Sequence, residues 1–161
     1  MYSTEGIILK RTDVGEADSL FTIYTKDFGK ICARAQGVKK ESAKLKGHLE
    51  TLSHGAVSFV LGKSGERLTS AVMLNCWLGI CKDFDKLRAA YTLTNLVDEK
   101  CFSGEKDEKL WQLVLDSFSF LDAAEFTEKD FFQFSQEFNK KFIDALGYAG
   151  VSDAEFLGYN I

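Results

Sequence analysis

The sequence predicts an α+β fold: a small five-stranded β-barrel followed by a small helical bundle. Short alternating runs rich in β-forming residues, separated by glycine-bearing turns, occupy the chain up to Leu74. From Asp83 onward apolar residues instead recur at helical spacing. Charge divides at the same place. Residues 1–82 carry 12 Lys and Arg against 8 Asp and Glu, whereas residues 83–161 carry 8 against 16. A basic module joined to an acidic one points to two modules with different partners, or to opposite charges that face each other. The expected domains are residues 1–80 and 81–161.

The first strand is read over Gly6–Arg11, followed by a polar turn over Thr12–Asp18. Ser19–Thr25 alternates, with Leu20, Thr22 and Tyr24 on one face and Phe21, Ile23 and Thr25 on the other. A turn ending at Gly29 leads to Lys30–Gln36, where Ile31, Ala33 and Ala35 point one way and Lys30, Cys32, Arg34 and Gln36 the other. Gly55–Leu61 and Arg67–Leu74, joined through Gly62–Gly65, read as a hairpin. Five strands in this length suit the five-stranded OB-fold barrel, though strand count alone also fits an SH3-like barrel.

Three helices follow. Asp83–Lys100 carries Phe84, Leu87 and Tyr91 on one stripe, with Ala89, Leu93, Leu96 and Val97 beside it. Asp107–Asp122 places Leu110, Val114, Phe118 and Leu121 at helical spacing, with Trp111 and Leu115 adjacent. The third begins at Thr127, with Asp130 at the capping-box position and Phe126 and Phe131 placed for a hydrophobic staple; Gly147 ends it. Eight phenylalanines fall between Phe118 and Phe142. Such a stripe is a helix core, or an exposed aromatic groove for a partner.

Catalysis finds little support. The two histidines, His48 and His54, lie in no recognisable catalytic motif, and no GxxxxGK[ST] or GxGxxG is present. Cys32, Cys76, Cys81 and Cys101 form no CxxC pair, so the expectation is four reduced thiols, no zinc and no cofactor. No apolar run reaches the ~18 residues of a membrane span, and the N-terminus has no signal segment, so a cytoplasmic protein is expected.

What remains is cationic. Gly37-Val-Lys-Lys-Glu-Ser-Ala-Lys-Leu-Lys-Gly-His-Leu-Glu50 packs Lys39, Lys40, Lys44 and Lys46 into eight residues with one opposing acid, Glu41. Lys10 and Arg11 end the first strand, and Lys30 and Arg34 share a face of the third. A basic loop beside a basic barrel face forms an electrostatic track for a nucleic-acid backbone. Phe21, Tyr24 and Phe28 are candidates for stacking on bases. Lysine reads phosphate as a point charge and carries no bidentate base geometry, so such a track is indifferent to sequence. A solvated surface loop is the alternative.

Three segments together resemble the bacterial recombination mediator RecO family. Glu5-Gly-Ile-Ile-Leu-Lys-Arg-Thr-Asp-Val-Gly-Glu-Ala-Asp18 is similar to its opening strand and G-E-x-D turn. Phe28-Gly-Lys-Ile-Cys-Ala-Arg-Ala-Gln-Gly37, the basic loop and Leu45-Lys-Gly-His-Leu-Glu50 resemble its next strand and loop, and Phe138-Asn-Lys-Lys-Phe-Ile-Asp-Ala-Leu-Gly-Tyr148 its helix ending in L-G-[Y/F]. The resemblance implies an N-terminal OB-fold and binding of single- and double-stranded DNA. It also implies annealing of complementary strands and help in loading the RecA recombinase, without enzymatic activity. The implied partners are RecR and the C-terminal tail of single-stranded DNA-binding protein, and the implied location is the bacterial cytoplasm at the nucleoid. Lys10, Arg11, Lys30, Arg34, Lys39, Lys40, Lys44 and Lys46 match the family's basic surface. For the tail, Phe134, Phe138 and Phe142 with Lys140 and Lys141 are the candidates. Family members commonly continue into a four-cysteine zinc module. This sequence ends 13 residues after Tyr148 and is read as a short form, natural or truncated, without it. The remaining alternatives are a protein-interaction adaptor and an RNA-binding OB protein.

Overall fold

The computed structural model describes residues 1–158. Five strands, β1 (Tyr2–Val14), β2 (Asp18–Thr25), β3 (Gly29–Ala35), β4 (His54–Gly62) and β5 (Gly65–Asn75), form a closed barrel in the order β1-β2-β3-β5-β4. This is the five-stranded OB-fold barrel. All pairings are antiparallel except β3 with β5, which run parallel through Ala33↔Glu66 and Arg34↔Arg67. Helices follow: α1 (Leu78–Cys81), α2 (Phe84–Lys100), α3 (Glu108–Ala123), α4 (Glu128–Ala145) and α5 (Asp153–Leu157). The chain divides into two compact units. One is Met1–Trp77 with Thr94–Asp107, and the other is Leu78–Leu93 with the chain from Glu108 onward.

The barrel interior follows the alternation of the strands. Phe21 and Ile23 from β2, Ile31, Ala33 and Ala35 from β3, Val57 and Phe59 from β4, and Leu68 and Ala71 from β5 are all buried together. β1 departs from strict alternation. A bulge between Ile8 and Lys10 shifts its register against β2, so the adjacent Ile8 and Leu9 are both buried. β1 also runs three residues past the expected strand end. Thr12, Asp13 and Val14 pair with Leu20, Ser19 and Asp18, and Gly15, at φ +63°, turns the chain.

The lysine-rich segment is more ordered than its composition suggests. Lys40 N–H donates to Gly37 carbonyl, Ala43 to Lys40, Lys46 to Ala43 and His48 to Leu45, a run of consecutive turns. Val38 and Leu49 are buried in the barrel core and Leu45 packs against it, so the segment is fastened at both ends and in the middle. After it, Leu52 adopts φ +70°. Its N–H donates to Ile8 carbonyl while Ile8 N–H donates to Ser53 carbonyl, which holds that costly conformation in place.

The segment 94–107 packs on the barrel. Ser103 bridges to Gly29 and Lys30, and Gly29 sits at φ +63° with the Glu105 backbone against it. Cys101 is buried there, and loss of hydration pushes its thiol up to about 12.

In the second unit, α3 buries Leu110, Trp111, Val114, Phe118 and Leu121, the stripe its spacing predicts. In α4, the Asp130 carboxylate accepts from both the N–H and the hydroxyl of Thr127. Phe126 packs edge-on against Phe134, while Phe131 receives the Arg88 guanidinium 3.8 Å above its ring. Of the two adjacent apolar stripes on α2, the one through Ala89, Leu93, Leu96 and Val97 is the buried one. Phe84 and Tyr91 are exposed, and the buried line runs through Lys86, Ala89, Ala90, Leu93 and Val97. Lys86 is tolerated on that line because its Nζ donates to the Asp122 carbonyl.

Two outcomes follow. Gly29→Ala would put a Cβ 2.2 Å from the Glu105 carbonyl oxygen at a left-handed φ; destabilisation of about 2 kcal/mol is expected, read as a fall in urea midpoint at unchanged m-value. Alkylation at pH 8 should label exposed Cys32 while Cys101 stays unmodified until the protein unfolds, read by peptide mass mapping.

Candidate nucleic-acid interface

The eight cations expected to meet DNA divide into two groups according to their neighbours. Arg11, Lys30, Arg34 and Lys39 have acidic partners. Asp13 gathers the Arg11 Nε at 3.2 Å, the Ser19 hydroxyl at 2.8 Å and the Lys39 Nζ at 3.1 Å. Asp18 accepts from the Gly37 N–H at 2.7 Å and from the Arg34 Nη2 at 2.7 Å. Lys30 Nζ donates to the Asp98 carbonyl and reaches its carboxylate at 3.3 Å. These groups brace the fold as much as they charge its surface.

Lys10, Lys40, Lys44 and Lys46 form no ion pair among the described residues, and all four are exposed. Lys40 and Lys44 line a groove of about 460 Å³ together with Gln36, Leu45, Thr69 and Arg67. Arg67 was not among the residues the sequence suggested. It sits on β5 in register with Arg34, and its one described polar contact is to Gln36 Oε1 at 3.2 Å. A guanidinium and two ammonium groups thus face one concave surface without a carboxylate among its lining residues. Lys10 lies on the outer barrel face, in the row Lys10, Thr22, Cys32, and Lys46 follows the third turn of the loop; neither lines the groove.

The two aspartates explain how the loop is aimed. The Gly37 N–H, foremost, and the Arg34 guanidinium beside it hold the Asp18 carboxyl below its ordinary range. The Ser19 hydroxyl and then Lys39 do the same for Asp13. Asp18 therefore ties the start of β2 to the first residue of the basic segment, and Asp13 ties the end of β1 to its third. Of the proposed stacking residues, Phe21 is buried inside the barrel, Tyr24 is buried on the other face of β2 near Cys101, and only Phe28 reaches the surface.

The tail-binding candidates lie in the second unit. Phe134, Phe138 and Lys141 line a groove of about 660 Å³ between α3 and α4, with Lys109, Leu113 and Phe120 on its other wall. Phe142 is fully buried and packs between Phe138 and Phe156, and Lys140 is exposed away from the lining. His48 Nδ1 lies 3.4 Å from the Met73 N–H that donates to it, and His54 Nε2 lies 3.0 Å from Glu5 Oε2. Among the described residues, no group of three or more His, Cys, Asp or Glu could hold a metal ion, and no helix is long and apolar enough to cross a membrane.

Residues 1–77, the barrel and its basic segment, match the family model for the recombination protein O N-terminal domain. The barrel domain thus belongs to the RecO N-terminal family. Proteins named DNA repair protein RecO are similar along most of the chain. That of Roseiflexus sp. is 28% identical over 92% of this chain and 50% of its own length. The protein from Gloeobacter violaceus is 33% identical over 71% and 44%, and that from Acetivibrio thermocellus is 27% identical over 91% and 57%. The chain thus spans about half the length of the RecO proteins it matches.

Protonation should loosen the brace. Both aspartates have depressed folded-state values, so the stabilisation they give is present above the ordinary aspartate range and is lost as pH falls through the folded values. The Gly37 amide resonance is therefore expected to titrate with a midpoint below the ordinary aspartate range, and Asp18→Asn should abolish that titration.

Proposed function

We propose that this chain is a DNA repair and recombination mediator. It binds single- and double-stranded DNA through the barrel, anneals complementary strands and helps load the RecA recombinase, with RecR as partner. One observation carries the reading. On an OB-fold barrel of the RecO family, Lys40, Lys44 and Arg67 line a groove with no acidic residue in its lining. Lys10 and Lys46 extend the same cationic surface, while Arg11, Lys30, Arg34 and Lys39 hold the barrel and loop in shape and add to the field at longer range.

The chemistry suits annealing. Two complementary strands repel each other through their phosphates. Cations that neutralise phosphates without gripping base edges lower that repulsion and leave the bases free to pair. No side chain in this scheme makes or breaks a covalent bond, which suits a mediator acting without catalysis. A protein that works on DNA in this way belongs in the bacterial cytoplasm at the nucleoid.

The helical unit is read as the partner module, with the division of labour near residue 80. The α3–α4 groove supports binding of the C-terminal tail of single-stranded DNA-binding protein. Phe120, Phe134 and Phe138 offer an apolar floor, and Lys109 and Lys141 can meet a terminal carboxylate.

The triple variant Lys40→Ala, Lys44→Ala, Arg67→Ala is expected to weaken single-stranded DNA binding and to reduce the salt slope by about 0.7 for each phosphate no longer neutralised. Arg34→Ala should leave that slope nearly unchanged. Fluorescence anisotropy across a salt series measures both, and equal slopes for wild type and the triple variant would remove the groove from the interface.

A further inference from the structure

At the rim formed by the start of β1, the β2–β3 turn and the β4–β5 hairpin, three aromatic rings meet. The Tyr2 ring stacks on Phe59 with centroids 5.4 Å apart, and Phe28 stands edge-on to both at 5.4 Å. They wall a cavity of about 240 Å³ whose rim carries Lys30, Glu66 and Ser103. Phe59 belongs to the core, but Tyr2 is 42% exposed and Leu61, on the same cavity, 63%. The back of the cavity is fixed, because Ser103 bridges to Gly29 and Lys30.

We propose that this slot binds a nucleobase. Its volume suits one planar ring, and its walls offer π faces of the kind on which bases stack. An aliphatic side chain would fill the volume but leave the polar rim unmatched. A base carries donors and acceptors on its edge. The Glu66 carboxylate has no described hydrogen-bond partner and can only accept, so it meets an exocyclic amino group; the Lys30 ammonium and Ser103 hydroxyl can donate to a ring carbonyl. Cytosine presents both edges, and thymine lacks the amino group. Glu66 and Arg67 are consecutive on β5, at the two positions where β5 pairs with β3. Their side chains leave opposite faces of the strand, so the slot and the cationic groove flank the β3–β5 seam from its two sides, and a strand whose phosphates follow Arg67 crosses that edge to turn one base into the slot.

Binding of a base within a strand rests on the nucleic-acid reading above, whereas binding of a free nucleotide does not, so the test has two arms. In the first, wild type, Tyr2→Ala and Glu66→Gln are titrated with a deoxycytidine strand of roughly fifteen nucleotides and with an abasic strand of equal length. Tyr2→Ala should bind the deoxycytidine strand roughly tenfold more weakly with an unchanged salt slope, and should bind the abasic strand as wild type does. Glu66→Gln, which keeps the shape of the site, should narrow the preference for deoxycytidine over thymidine strands. Equal affinity of wild type and both variants for the deoxycytidine strand, or an equal loss on the abasic strand, overturns the slot while leaving the groove intact. In the second arm, 2′-deoxycytidine 5′-monophosphate is added to wild type up to ~10 mM while the ring resonances of Tyr2 and Phe28 are followed by NMR. Saturable shifts confined to those rings support the slot even if no strand binds. The absence of shifts there, with inorganic phosphate and the nucleotide behaving alike, overturns it.

Discussion

The barrel closes through two residue pairs. Ala33↔Glu66 and Arg34↔Arg67 are the whole of the parallel ladder between β3 and β5. Everywhere else neighbouring strands run antiparallel over longer stretches. That short seam removes the two sheet edges an open five-stranded arrangement would expose. It also decides what stands beside what. Residues more than thirty positions apart in sequence become neighbours, so Arg67 comes to face the turns that begin at Gly37, and Glu66 comes to rim the aromatic cluster.

Around the seam, charge serves two purposes. Asp13 and Asp18 take up Arg11, Lys39 and Arg34, and in doing so bind the β1–β2 hairpin to the start of the basic segment. Exposed pairs of this sort add little to overall stability. Their effect is directional, since they orient the segment so that Lys40 and Lys44 point where no carboxylate lines the surface. A bare count of lysines and arginines merges these two populations.

Much of the barrel was legible in the sequence because β alternation is a local property. Phe21, Ile23, Ile31, Ala33 and Ala35 fall inside as their spacing requires. The bulge at Leu9 was not legible, since Ile7, Ile8 and Leu9 read only as an apolar run until a partner strand defines the register. The helices follow the same rule. α3 and α4 show clean stripes, whereas α1 and α5, with four and five residues, are too short for periodicity to register. On α2 two apolar lines compete, and the line of small residues through Ala89 and Ala90 is the buried one. In the candidate interface the loop lysines could be seen at once. Their separation into braced and unpaired groups could not, because Asp13, Asp18 and Asp98 reach them only through the fold. Arg67 was visible as the first residue of a strand, and only the β3–β5 adjacency of a closed five-stranded barrel gives it meaning.

The fastening of the basic segment has a kinetic consequence. A cationic arm that dangles must be immobilised when it meets a polyanion, and that ordering entropy is subtracted from the attraction. Here Val38, Leu45 and Leu49 keep the turns in place beforehand. Encounter with a nucleic-acid backbone would then be preorganised, limited by diffusion and steering rather than by a folding step. Ionic strength would act mainly on the association rate, and dissociation would be set by how many phosphates must be released together.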